Sequence, residues 1–247
     1  MKAHLKNIFE IALNFLYPPI CQICLTQRAT SVEGYVCAEC ASSRDGVHFI
    51  RPPLCNHCGL PFDGEITTLF ECSNCRDTEL FFCYARSAVK RSKLLVDVIH
   101  RYKYNRALWF EPFLGDLLVR EAAPVLAQEH WDFIVPVPLY SVKEREREFN
   151  QSERLARPLS AATKIPLNRN LLRRVEPTRS QTLLTRDERA ANVRTAFAMK
   201  PGANLNGERI VLLDDVLTTG ATTNACAKVL RKAGAGEVCV WTVIRNL

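Results

Sequence analysis

The stretch "RIVLLDDVLTTGATTNACAKVLRKAG", Arg209 to Gly234, decides the fold. Its continuous apolar run predicts a strand buried on both faces, as parallel sheets require. "TTNACAKVLRKAG" then predicts a helix that Gly234 closes, and "EVCVWTVI", Glu237 to Ile244, a further strand. Strand, helix and strand within roughly forty residues make a parallel crossover. Ligands of such sheets bind beyond the carboxyl ends of the strands. The order of the sequence puts Asp214, Asp215 and the small-residue loop after them at that edge.

Thr218, Thr219, Gly220, Ala221 and Thr222 combine hydroxyl donors, a glycine that lets backbone approach closely, and a helix start whose free amides favour an anion. A monophosphate suits that cradle. None of the ten glycines is followed by lysine, so the loop of nucleotide-hydrolysing enzymes is missing. A G-x-G-x-x-G dinucleotide fingerprint is missing too. Two carboxylates directly before a phosphate cradle repel the anion unless a neutral group lies between, and a ribose diol fits. Asp214 and Asp215 are therefore candidate acceptors for sugar hydroxyls, with the 5-phosphate on the loop. The competing reading is that the acids only cap the turn.

Outward from this stretch, residues 80–247 read as one α/β domain. "FFCYARSAV" is a strand, "SKLLVDVIHRYKYN" and "ALWFEPFLGDLLVREAAPVLA" are helices, and "WDFIVPVPL" is a buried strand with prolines at its exit. Asn150 is placed to cap a helix through "QSERLARPLSAA", which Pro158 should kink or shorten. Thr185 and Glu188 have capping-box spacing for a short helix.

Eight of eleven cysteines form four C-x-x-C pairs: Cys21 with Cys24, Cys37 with Cys40, Cys55 with Cys58, and Cys72 with Cys75. A two-residue spacer turns both sulfurs to one ion, and two such knuckles close a tetrahedral shell. Residues 20–79 are thus a zinc-binding module, most simply with adjacent pairs sharing two structural zinc ions. Interleaved pairing, a single ion, and an iron–sulfur cluster are the alternatives. Disulfides do not suit a chain that is not exported, and redox pairs do not come as four in tandem. So short and aliphatic-poor a segment needs the metal to fold. His48 and His57 are bystanders, and Cys83, Cys226 and Cys239 read as small buried apolar residues.

The 247 residues are 47% hydrophobic and 24% charged, ordinary for globular protein, with a formal net charge of +7. Eight thiolates with two zinc ions would lower that charge by four, to +3, so the distribution of cations matters more than their excess. Residues 1–19 carry apolar side chains at helical spacing, ended by Pro18 and Pro19, and lack a cleavage site. They predict an amphipathic packing helix. No transmembrane segment is expected, and the expected compartment is cytoplasmic.

With "VLLDDVLTTGATT", the cysteine pairs, "VPVPL", "REREFNQSERLA" and "QTLLTRDERAANVRTAF", the chain resembles the ComF family of competence-associated, GntX-like proteins within the type I phosphoribosyltransferase superfamily. The resemblance spans nearly the whole chain. It implies a phosphoribosyltransferase-like parallel sheet flanked by helices after a double zinc-ribbon module, and a phosphoribosyl pyrophosphate (PRPP) ligand with Mg²⁺. By that resemblance Asp214 and Asp215 contact the ribose, Thr218 to Thr222 hold the 5-phosphate, and Val135 to Leu139 form the pyrophosphate loop. The family pattern has glycine where this chain has Glu148.

Lys143, Arg145 and Arg147 alternate with Glu144, Glu146 and Glu148, so an extended segment puts all three cations on one side, whereas a helix pairs opposite charges. "VKRSKLLVDVIHRYKYNRALWF" interleaves cations with aromatics as single-stranded DNA binders do, yet Leu94, Leu95, Val98, Ile99 and Tyr102 also make a helical core face. Three functions follow: a transferase using PRPP, a single-stranded DNA handler working with DNA-uptake proteins in natural transformation, and a non-catalytic PRPP sensor. No acceptor-base pocket is legible in the sequence.

Overall fold

The computed structural model describes residues 19–62, 64, 70–176 and 195–246. In chain order the elements are α1 (Ala38–Ser42), α2 (Ser73–Arg76), β1 (Ala85–Lys90), α3 (Lys93–Tyr104), α4 (Glu111–Leu126), β2 (Phe133–Pro136), α5 (Ser141–Arg147), α6 (Gln151–Thr163), β3 (Leu172–Arg174), β4 (Phe197–Met199), β5 (Arg209–Leu217), α7 (Ala221–Lys232) and β6 (Glu237–Arg245). The expected helix of residues 1–19, Pro19 apart, and the one at Thr185 and Glu188 lie outside the described residues.

The described residues divide into two units, 19–47 with 92–114 and 48–91 with 115–246. The first holds one cysteine quartet and α3. Ser92 caps α3 by accepting from Leu95 N, and Leu94, Leu95, Val98 and Tyr102 are buried, as the apolar spacing predicts.

In the second unit four strands run parallel in the order β1–β6–β5–β2. The two central strands are buried almost throughout, which is why they read as unbroken apolar runs. β5 extends further than its apolar run. Asp214 pairs with Thr242 and Leu217 with Arg245, so both acids lie inside the strand and not in the loop beyond it. Ile210, Leu212, Cys226, Ala227 and Leu230 share one core, packing α7 on the sheet. The short antiparallel pair β3–β4 stands apart from the main sheet.

Two local outcomes differ from the sequence reading. Pro158 does not end α6, which continues to Thr163. Gly115 of α4 leaves room for the proline ring, since a Cβ there would lie 3.1 Å from Pro158 Cγ. Cys83 is exposed, with Sγ turned to Val238 O at 3.2 Å, whereas Cys226 and Cys239 are buried as expected.

Candidate functional site

Each cysteine quartet gathers its four sulfurs within 4.8 Å of one another. Zinc–sulfur bonds of about 2.3 Å in a tetrahedron put sulfurs about 3.8 Å apart. The separations are 3.9 Å for Cys21–Cys40 and 3.8 Å for Cys24–Cys37, then 3.9 Å for Cys55–Cys75 and 3.6 Å for Cys58–Cys72. Adjacent pairs therefore share a site, and both shells fit zinc. Backbone N–H groups of Cys37 and Cys72 donate to Cys21 Sγ and Cys55 Sγ, the outer-shell support a thiolate needs. A hydrogen bond from Thr26 holds the Cys24 thiol down at about 6. Burial pushes Cys55 up, but backbone donors led by Cys58 and Cys72 outweigh it and bring that thiol to about 7. Apart from the sulfurs the ribbon cores hold little, Leu60, Phe70 and Leu80 in the second, so the ion is the centre of each. His57 turns its ring to Glu71 at 3.5 Å and is no ligand.

At the carboxyl edge of the sheet Asp214 and Asp215 are 9% and 3% exposed. Asp214 Oδ1 accepts from Ser152 Oγ at 2.8 Å and from Asp215 N at 2.9 Å, which fixes its carboxylate. Ser152 is delivered by the start of α6. There Asn150 accepts from Ser152 N at 3.0 Å and donates through Nδ2 to Val137 O, also at 3.0 Å. Val137 N in turn donates to Leu213 O at 2.8 Å. The segments "VPVPL", "FNQS" and "LLDD" thus meet at one place.

Thr218, Thr219 and Gly220 follow directly. Gly220 has φ +81°, a conformation that costs other residues, and it begins α7. Ala221 N points to Thr219 Oγ1 at 3.4 Å, and the loop is half-buried to exposed. An anion can approach the first amides of α7 there.

Lys143 lies close enough to Arg147 and Arg174 to feel their charge. Burial, then the charges of Arg174 and Arg147, hold the Lys143 ammonium below its usual range. Burial also lowers Arg174, against the opposing pull of Cys226 and then Asp214. Lys143 and Arg147 sit on α5, a helix and not an extended segment, and Arg147 donates to Gln151 Oε1 at 2.9 Å. Glu148 ends α5 with φ +67°, the left-handed region that favours glycine.

Sequence reasoning missed Ser152, although "FNQSERLA" contained it, because its partner lies 62 residues away. It also missed Arg245, a single charge ending an apolar strand. Arg245 is 3% exposed and donates to Thr218 O at 2.5 Å.

Two four-thiolate shells and a parallel α/β unit with an acid pair before a threonine loop define a double zinc-ribbon protein with a parallel α/β domain. A family model, the double zinc ribbon domain, matches residues 12–78. Competence protein F of Haemophilus influenzae is 30% identical over 220 residues, 83% of this chain and 96% of its own. DNA utilization protein YhgH of Salmonella typhimurium is 30% identical over 93% of this chain and 98% of its own, and competence protein ComFC of Streptococcus pneumoniae 34% over 78% and 87%. A purine phosphoribosyltransferase from Pyrococcus horikoshii Ot3 aligns over 54% of this chain and 83% of its own, at 17% identity and a TM-score of 0.34. The chain belongs to the ComF family. No helix among the described residues is long and apolar enough to cross a membrane.

Proposed function

We propose that the chain binds the ribose 5-phosphate part of PRPP, with Mg²⁺, at the carboxyl edge of its sheet. The sugar hydroxyls meet Asp214 and Asp215, and the 5-phosphate takes Thr218, Thr219, Gly220, Ala221 and Thr222. The observation that carries this reading is the order of parts along β5 and α7, with Asp214 fixed by Ser152. Lys143, Arg147 and Arg174 supply the charge a diphosphate needs, and Mg²⁺ would shield that diphosphate further. Calorimetric titration with PRPP and Mg²⁺ tests it. Binding that is lost on Asp214→Asn with Asp215→Asn supports the reading, and no heat with the unaltered protein removes it. Pyrophosphate release with a nucleobase acceptor then separates a transferase from a PRPP-sensing regulator.

The names of its relatives, competence and DNA utilization proteins, favour a role in DNA uptake. α3 and the turn after it favour single-stranded DNA as a partner. Tyr104 and Trp109 are 63% and 42% exposed and alternate with Lys103 and Arg106 in the chain, whereas Tyr102 belongs to the core. Bases would stack on the two exposed rings while the cations meet phosphates. Fluorescence anisotropy with a labelled single-stranded oligonucleotide tests this. Trp109→Ala with Tyr104→Ala should weaken binding about tenfold or more, and unchanged binding rejects the surface. Four-thiolate shells of this kind need sulfurs that stay reduced, which favours a reducing compartment, the cytoplasm.

A further inference from the structure

Arg245 joins the second thiolate shell to the phosphate loop. It is the last residue of β6, in register with Leu217 at the end of β5. Its Nη1 donates to Thr218 O at 2.5 Å and to Leu217 O at 3.3 Å, and its Nη2 to Cys58 Sγ at 3.6 Å. The guanidinium is planar and rigid, so the cysteine sulfur and the loop carbonyls cannot shift independently. A second tie lies at the other end of the loop. Asn224, in the first turn of α7, accepts from Phe81 N and donates to Glu79 O, each at 2.8 Å. Residues 79–81 are the chain just leaving Cys75. Between the two ties a narrow concavity is lined by Cys58, Cys75 and Thr78 on one side and Leu217, Thr218 and Gly220 on the other.

We propose that Arg245 is a positioning residue through which the metal-loaded second shell sets the conformation of the phosphate loop. The proposal rests on the ribose-phosphate reading of that loop. A zinc ion fixes Cys58 Sγ, Cys58 fixes Arg245, and Arg245 fixes the carbonyls of Leu217 and Thr218. Coupling of this kind is reciprocal, so a ligand on the loop slows loss of the ion from the Cys55–Cys58–Cys72–Cys75 shell and leaves the Cys21–Cys24–Cys37–Cys40 shell unaffected.

The test uses the full chain, with ribose 5-phosphate as probe. Zinc transfer to a chromogenic chelator should show two phases, one of them slowed about tenfold by the sugar phosphate. In Arg245→Met that protection should vanish while both ions are still bound, and Arg245→Lys should restore part of it. Amide exchange over residues 217–224 should quicken on zinc removal, and in zinc-loaded Arg245→Met, with Phe133–Pro136 unchanged. Loop exchange indifferent to zinc, exchange that rises equally across the sheet, or full protection in Arg245→Met overturns the proposal. If Arg245→Met fails to fold, zinc-loaded Arg245→Lys takes its place: loop exchange faster and protection smaller than in the unaltered protein support the proposal, and both unchanged overturn it. Absence of ribose 5-phosphate binding removes the ligand reading, and the exchange arm still decides the coupling.

Discussion

Ser152 Oγ donates to Asp214 Oδ1 at 2.8 Å, and both residues are buried. A hydroxyl at the start of one helix thereby orients a carboxylate on the neighbouring strand. A hydrogen bond to a charged group contributes about 1.5–3 kcal/mol. Ser152→Ala should therefore lower unfolding free energy by about 2 kcal/mol in urea titrations and weaken PRPP binding as well. Stability within error of the unaltered protein would show that water replaces the hydroxyl at no cost.

Glu148 ends α5 with φ +67°. The left-handed region costs a non-glycine residue roughly 1–2 kcal/mol, part of which glycine returns through the freedom of its unfolded chain. Glu148→Gly should raise the urea midpoint, by about 0.5–1 kcal/mol of stability. A fall would mean that contacts of the glutamate side chain outweigh the backbone strain.

Lys143 is held below its usual range by burial and by Arg174 and Arg147, with Glu146 opposing them. The sign is that of a cation lost early: as pH rises through the lowered value, the ammonium loses its proton and the polyanion loses a partner. PRPP affinity measured against pH should begin to fall below the ordinary lysine value of 10.5. Lys143→Met should bind more weakly at neutral pH and lose that alkaline limb. An unchanged limb would assign it to another group.

The sulfur separations fit two zinc ions, so purified protein should carry about two equivalents by elemental analysis. Acid or strong chelators should release them, because the thiolates must stay deprotonated to ligate. With cores made largely of the sulfurs, the ribbons should then unfold, visible as protease cleavage within residues 19–62. One equivalent with both shells needed for folding would contradict the pairing seen here.

The central crossover was legible because β5 and β6 are buried on both faces and leave runs that only strands of a parallel sheet need. The four C-x-x-C pairs were legible because ligand spacing is local. The full length of β5 was not, since the strand reads as Arg209 to Asp215, where the apolar run ends, while the ladder continues to Leu217 paired with Arg245. Residues Ser141–Arg147 had two readings because alternating charges serve an extended chain or a helix equally, and packing chose the helix. Ser152 and Arg245 act through partners far along the chain, which no local pattern encodes. The exposure of Cys83, two residues before β1, is likewise set by its neighbours and not by its residue type.

Ribose 5-phosphate and 2-deoxyribose 5-phosphate differ by one hydroxyl, which the proposed function assigns to Asp214 and Asp215. Titration of both into the unaltered protein and into Asp214→Asn with Asp215→Asn measures that contact alone. The ribose compound should bind about tenfold or more tightly to the unaltered protein, and the preference should disappear in the double variant. Equal affinity for the two sugars in the unaltered protein, or a preference that survives both substitutions, would place the ligand somewhere else.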